Sequence, residues 1–193
     1  MLPIGPLMIE HRLIERMIHV LKVELEKIQK FKEVNPFFID LSVDFIRIYA
    51  DKTHHGKEED ILFRELNKKN LNSEHQKIMN ELIEEHKFAR QTTGELVKAK
   101  ERYIGGEAEA LKVIIDKIKI LTEFYPKHII KEDKHFFIPV MNYFSEKEKD
   151  DMLTEGQVFD RRMIHRKYDL LVNTFENERS IKKTAETNWI ERM

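Results

Sequence analysis

Apolar residues recur every three or four positions along most of this chain. From Leu7 to about Lys32 they fall at Leu7, Ile14, Met17, Ile18, Leu21, Leu25 and Ile28, the spacing of one helix face. Glu33-Val34-Asn35-Pro36 stops that helix, with Asn35 as N-cap and Pro36 as first residue of the next. A second amphipathic stretch runs from Phe37 to about Leu66. Ser73 with Gln76 reads as a capping box opening a third helix, which Gly105-Gly106 ends. The fourth runs from about Glu107 towards Lys134, with Pro126 expected to kink it. Ser145 with Glu148 reads as another capping box, and a fifth helical region follows to about Arg179, divided near Gly156. No segment alternates with period two. The prediction is an all-α protein: an up-down-up-down four-helix bundle over about 7–140, with a C-terminal helical extension over about 145–180 packed on its side or end. Residues 1–193 are read as a single domain.

Composition narrows the chemistry. There is no cysteine among 193 residues, which removes disulfides, thiolate metal sites and cysteine nucleophiles together. A net charge of −1 argues against an electrostatic nucleic-acid binder. No apolar run is long enough to span a bilayer, so a cytoplasmic protein without a membrane partner is expected. Gly-rich phosphate loops and nucleophile elbows are likewise missing from the sequence.

The nine histidines are not scattered. His54-His55-Gly56-Lys57-Glu58-Glu59-Asp60-Ile61-Leu62-Phe63 matches His128-Ile129-Ile130-Lys131-Glu132-Asp133-Lys134-His135-Phe136-Phe137, with Lys at +3, Glu at +4, an acid at +5 and Phe at +9. Upstream, Glu10-His11-Arg12 echoes Glu85-His86-Lys87, and the spacing to the second histidine is 43 residues in one half and 42 in the other. The chain therefore reads as two copies of a helical hairpin, each offering a His and then a His-x-x-x-Glu. The midpoints between successive members of the set His11, His54, His86 and His128 fall at or beside the predicted turns. In antiparallel helices this brings all four to one height, and residues i and i+4 share a face, so Glu58 and Glu132 point into the same space. Two carboxylates inside a bundle are costly without counter-charge. Cations answer that need, and four imidazoles with two carboxylates suit a dinuclear site better than a single ion.

These paired His-x-x-x-Glu-x-x-x-x-Phe segments resemble the hemerythrin and HHE cation-binding family over roughly residues 7–140. The resemblance implies a four-helix bundle holding two non-haem iron ions, with His11, His54, His86 and His128 as terminal ligands and Glu58 and Glu132 as bridges; imidazole and carboxylate also accept zinc or manganese. It implies dioxygen, nitric oxide or iron itself as the small partner. Binding or sensing is the reading taken, with a di-iron enzyme reducing peroxide, dioxygen or nitric oxide, or an iron storage or repair protein, as alternatives. The chain departs from the oxygen carriers in two places: Arg90 stands where they place a further histidine, and Glu132 where they use an Asp one residue later. His165 lies at the matching height if the fifth helix returns antiparallel, and is the candidate to fill the gap.

Other residues draw plainer readings. His55 should point about 100° away from His54 around the helix. His19, His75 and His135 read as surface or boundary residues, and Glu15 as either an outer acceptor or a solvated charge. Tyr125 reads as core packing, Lys57 and Lys131 as reaching outward, and Phe63 and Phe137 as core residues that keep the site dry.

Overall fold

A computed structural model describes the backbone of residues 1–178 and, beyond Met163, the side chain of Lys167 alone. Every regular element among the described residues is helical. α1 spans Ile4–Phe31 and buries Leu7, His11, Ile14, Ile18, Leu21, Leu25 and Ile28, a single stripe in which the histidine takes an apolar position. It ends at Lys32, whose left-handed backbone (φ 59°) lets its N–H reach Ile28 O. Asn35 then caps the next helix as predicted, its side chain accepting from the N–H groups of Phe37 and Phe38, with Pro36 following.

That second helix, α2, covers residues 36–66 and is not uniform. Phe45–His55 and Glu58–Phe63 are wound as π-helix, with N–H groups reaching five residues back, as Gly56 N–H does to Asp51 O. α3 spans Ser73–Ile104. Its cap is Asn72, which accepts from His75 N–H, so the predicted Ser73/Gln76 box is displaced by one residue: the asparagine is the better-placed short acceptor. α4 spans Ala110–Lys131 and contains Pro126 without interruption. It passes directly into a π-wound segment, Glu132–Phe136, and a last turn, Phe137–Val140. The Ser145/Glu148 box forms as expected: Ser145 N–H donates to Glu148 and Glu148 N–H to Ser145 Oγ. α5 then runs unbroken through Glu146–Glu178, so Gly156 does not divide it; glycine in a helix lowers its stability without ending it.

The ends of the helices show how they run. Ile4 and Leu7 at the start of α1 share one apolar cluster with Met79 and Leu82 early in α3, and with Leu66 and Val140 at the far ends of α2 and α4. Each of the four thus runs against its chain neighbour. A second cluster, from Ile14 and Ile28 to Ile114 and Ile129, fills the other end. Between the two apolar clusters lies a thin polar layer. α5 lies against α2, where Gly56 permits the approach: a Cβ there would stand 2.9 Å from Cζ of Phe159. Among the described residues no helix is long and apolar enough to cross a membrane.

Candidate metal centre

The polar layer is built from one to three residues of each bundle helix. His11 on α1, His54, His55 and Glu58 on α2, His86 on α3, His128 on α4 and Glu132 just beyond it are all buried, with the two glutamates and His11 and His86 at 0% exposure. The six of these predicted from the sequence repeat do converge. The seventh candidate, His165, has its side chain outside the described residues.

His55 is the residue that sequence reasoning missed. It lies within the layer, stacked on His86 with ring centroids 3.8 Å apart and 5.5 Å from His128. The expected 100° separation from His54 assumes 3.6 residues per turn. In the π-wound stretch ending at His55 successive side chains are turned through a smaller angle, and both adjacent histidines face inward.

Donor atoms divide into two groups. Nε2 of His11 and of His54 stand with Glu132 Oε2 (3.1 Å) and Glu58 Oε1 (3.4 Å) respectively. Nε2 of His86 stands 3.3 Å from the other Glu58 oxygen, Oε2, and Nε2 of His128 stands 3.2 Å from the other Glu132 oxygen, Oε1. His55 joins the second group. Each carboxylate is therefore shared, one oxygen turned to the His11/His54 pole and the other to the His55/His86/His128 pole.

These eight atoms (four Nε2 and four carboxylate oxygens) are buried, and none makes a hydrogen bond. So many orphaned polar atoms facing one another require a counterpart. Donors at right angles on one ion, with bonds of about 2.1 Å, stand about 3 Å apart, close to the spacings observed. The residues present fit a metal site.

The outer nitrogens of His11, His54, His86 and His128 are fully engaged, whereas Nδ1 of His55 has no hydrogen-bond partner. Nδ1 of His11 meets Asp133 at 2.7 Å, that of His54 meets Glu10 at 2.9 Å, that of His86 meets Glu59 at 2.6 Å and that of His128 meets Glu85 at 2.8 Å. An imidazole that donates Nδ1–H outward presents a lone pair at Nε2 inward, and the carboxylate makes that lone pair a better donor. Each outer carboxylate in turn meets a cation: Arg12, Lys57, Arg90 and Lys131 in the same order. Lys57 does not reach outward as expected. It is 4% exposed, because Glu10 holds it inside. Lys131 is also turned back, onto Glu85 and Glu81. These partners share the repeat, since Glu10 and Glu85, Lys57 and Lys131, and Glu59 and Asp133 occupy equivalent positions.

Charge follows from this packing. Burial alone would depress His11, but Asp133 and Glu132 overcome it and push the group up to about 10. His86 is depressed by burial and lifted further by Glu132, Glu58 and Glu59, to about 11. Burial raises Glu132, yet His128, His11 and His86 together hold it well below the ordinary carboxylate range. His55 is driven well below its usual value, first by burial and then by the neighbouring histidines.

The surroundings are dry on the side of the apolar cluster that holds Leu7 and Phe144: Phe137 stacks on His11 at 5.6 Å and Phe63 on His86 at 6.0 Å. Tyr125 is buried over His55, its hydroxyl without a partner, and lines a small cavity with His55, Asp51 and Arg90. His19 is exposed, and Glu15 binds Arg12 on the outer side of the His11 chain.

A helical bundle with a buried histidine and carboxylate layer of this kind is a cation-binding domain. The family model of the hemerythrin HHE cation binding domain matches residues 2–138, and the chain belongs to that family. No curated protein and no solved structure gives a further match.

Proposed function

We propose that the centre holds two non-haem iron ions and that the protein binds a small diatomic ligand, dioxygen or nitric oxide, at the His11/His54 pole. One observation carries the reading: Glu58 and Glu132 each turn one oxygen to either pole, an arrangement that serves two cations and is wasted on one. Imidazole with carboxylate suits iron, and zinc or manganese would use the same donors. Iron in such a place supplies a centre to which a diatomic molecule bonds and which can exchange electrons with it.

The chain's own residues do the remainder. Asp133, Glu10, Glu59 and Glu85 fix four imidazoles with Nε2 inward, and Phe63 and Phe137 keep water from the carboxylates. The two poles are unequal, with two histidines at one and three at the other. The poorer pole, with one histidine fewer, is the one that leaves a coordination position for an outside ligand. His55 supplies the further histidine that Arg90 does not, and Arg90 instead steadies Glu59 behind His86.

Metal analysis with absorption spectroscopy tests this. The expected result is two irons per chain, with near-ultraviolet absorption in the oxidised protein and a new visible spectrum on anaerobic addition of nitric oxide. One ion per chain, or two zinc ions with no response to nitric oxide, would overturn it.

A further inference from the structure

Behind each of the four outer-bonded histidines the polar contacts continue in a row of three. His11 leads to Asp133, Arg12 and Glu15; His86 to Glu59, Arg90 and Asp51; His128 to Glu85, Lys131 and Glu81. All members of these three rows lie within residues 2–138, the stretch matched by the family. The fourth row is different. His54 leads to Glu10 and Lys57, and Lys57 Nζ then donates to Asp160 Oδ1 at 2.7 Å, on α5 and outside that stretch.

We propose that Asp160 is a positioning residue of the metal centre, so that α5 is a working part of the site rather than an appendage; this rests on the metal reading above. Asp160 stands where Glu81 stands in the equivalent row of the other hairpin, as the second carboxylate on the lysine. The reason for a second carboxylate is electrostatic. A lysine with one partner draws the charge of Glu10 towards itself and away from Nδ1–H of His54. With Asp160 sharing Nζ, Glu10 keeps its hold on His54, and His54 keeps its donor strength at Nε2. The lysine end of this contact is shielded, because Lys57 is almost fully buried beside Pro6, Leu7, Ile61, Leu62 and Met152, while Asp160 is 44% exposed and its outer side is screened by solvent. α5 has another ion pair to α2, Arg64 with Glu155 at 2.7 Å, which leads to no histidine and so serves as an internal comparison.

The test uses the full chain stripped of metal and titrated with cobalt(II), read by its visible bands and by competition with a chelator. Asp160→Asn should weaken cobalt(II) retention roughly two- to fivefold, less than the tenfold or more expected for a group bonded directly to a ligating histidine, because Asp160 acts through Lys57 and Glu10, and it should shift the visible bands. Glu155→Gln should do neither, although it also removes an α5 contact. In a Lys57→Met background, Asp160→Asn should add nothing, since its influence passes through the lysine. Unchanged retention in Asp160→Asn, equal losses in Asp160→Asn and Glu155→Gln, or additive losses in the double variant would each overturn the proposal while leaving the metal reading intact. Failure of the unaltered chain to take up cobalt(II) or iron would overturn both.

Discussion

Without ions the two buried carboxylates must find other counter-charge, and protons on His11 and His86 provide it. With these groups raised to about 10 and about 11, both are protonated at neutral pH in the metal-free protein. A metal ion needs the same Nε2 lone pairs, so loading must expel about two protons. Metal affinity should therefore climb with pH up to about 10, by as much as roughly 2.7 kcal/mol per pH unit for two protons. Stability of the metal-free protein runs the other way. Both folded values lie above the unfolded value of about 6.5, so the contribution is complete below about pH 6.5 and is lost as pH rises towards 10 and 11. Melting curves at pH 6.5, 7.5, 8.5 and 9.5 should show the metal-free protein weakening steadily and the loaded protein not. Calorimetric titration with iron(II) or cobalt(II) at pH 8, in buffers of different ionisation enthalpy, counts the protons directly. Release of none, or parallel melting curves with and without metal, would refute the account.

Four further outcomes are expected. His55→Ala should lower metal content as severely as His54→Ala, while His19→Ala, at an exposed position, should leave it unchanged by metal analysis. Glu132→Gln removes the carboxylate common to His11, His86 and His128, and should abolish most of the pH dependence of metal-free stability in the same melts. Gly56→Ala places a methyl group 2.9 Å from Cζ of Phe159, and the overpacking, offset by about 1 kcal/mol of helix propensity, should leave a net loss of at most about 2 kcal/mol in denaturant unfolding as α5 loosens. Asn35→Ala should cost about 1 kcal/mol, the worth of an ordinary N-cap, with no change in metal content.

The sequence made the bundle legible because its signals were redundant: stripe, cap and turn agreed at nearly every boundary. Convergence of six ligand candidates followed from a second redundancy, the repeat, whose midpoints fell on the turns. What escaped was local winding. Nothing in Phe45–His55 marks it as π-helix by propensity; tertiary demand for both His54 and His55 inside the bundle accompanies it. The outer carboxylates and lysines escaped for a different reason. A Glu or Lys on a helix is usually solvated, and only the long-range pairing of Glu10 with Lys57, or Glu85 with Lys131, distinguishes these. The reach of α5 into the site depends on one ion pair from a helix whose own sequence shows no repeat at all.

The internal repeat has a consequence for the direction of the centre. Two identical hairpins would generate a two-fold axis through the polar layer, and neither pole could then differ from the other. The repeat aligns His55 with Ile129, and at this pair the copies part company: a donor in one, a buried hydrocarbon in the other. A difference at one position is thus enough to give an otherwise two-fold cage a front and a back. Ile129→His would restore the lost equivalence, and His55→Ile would restore it at the lower ligand count.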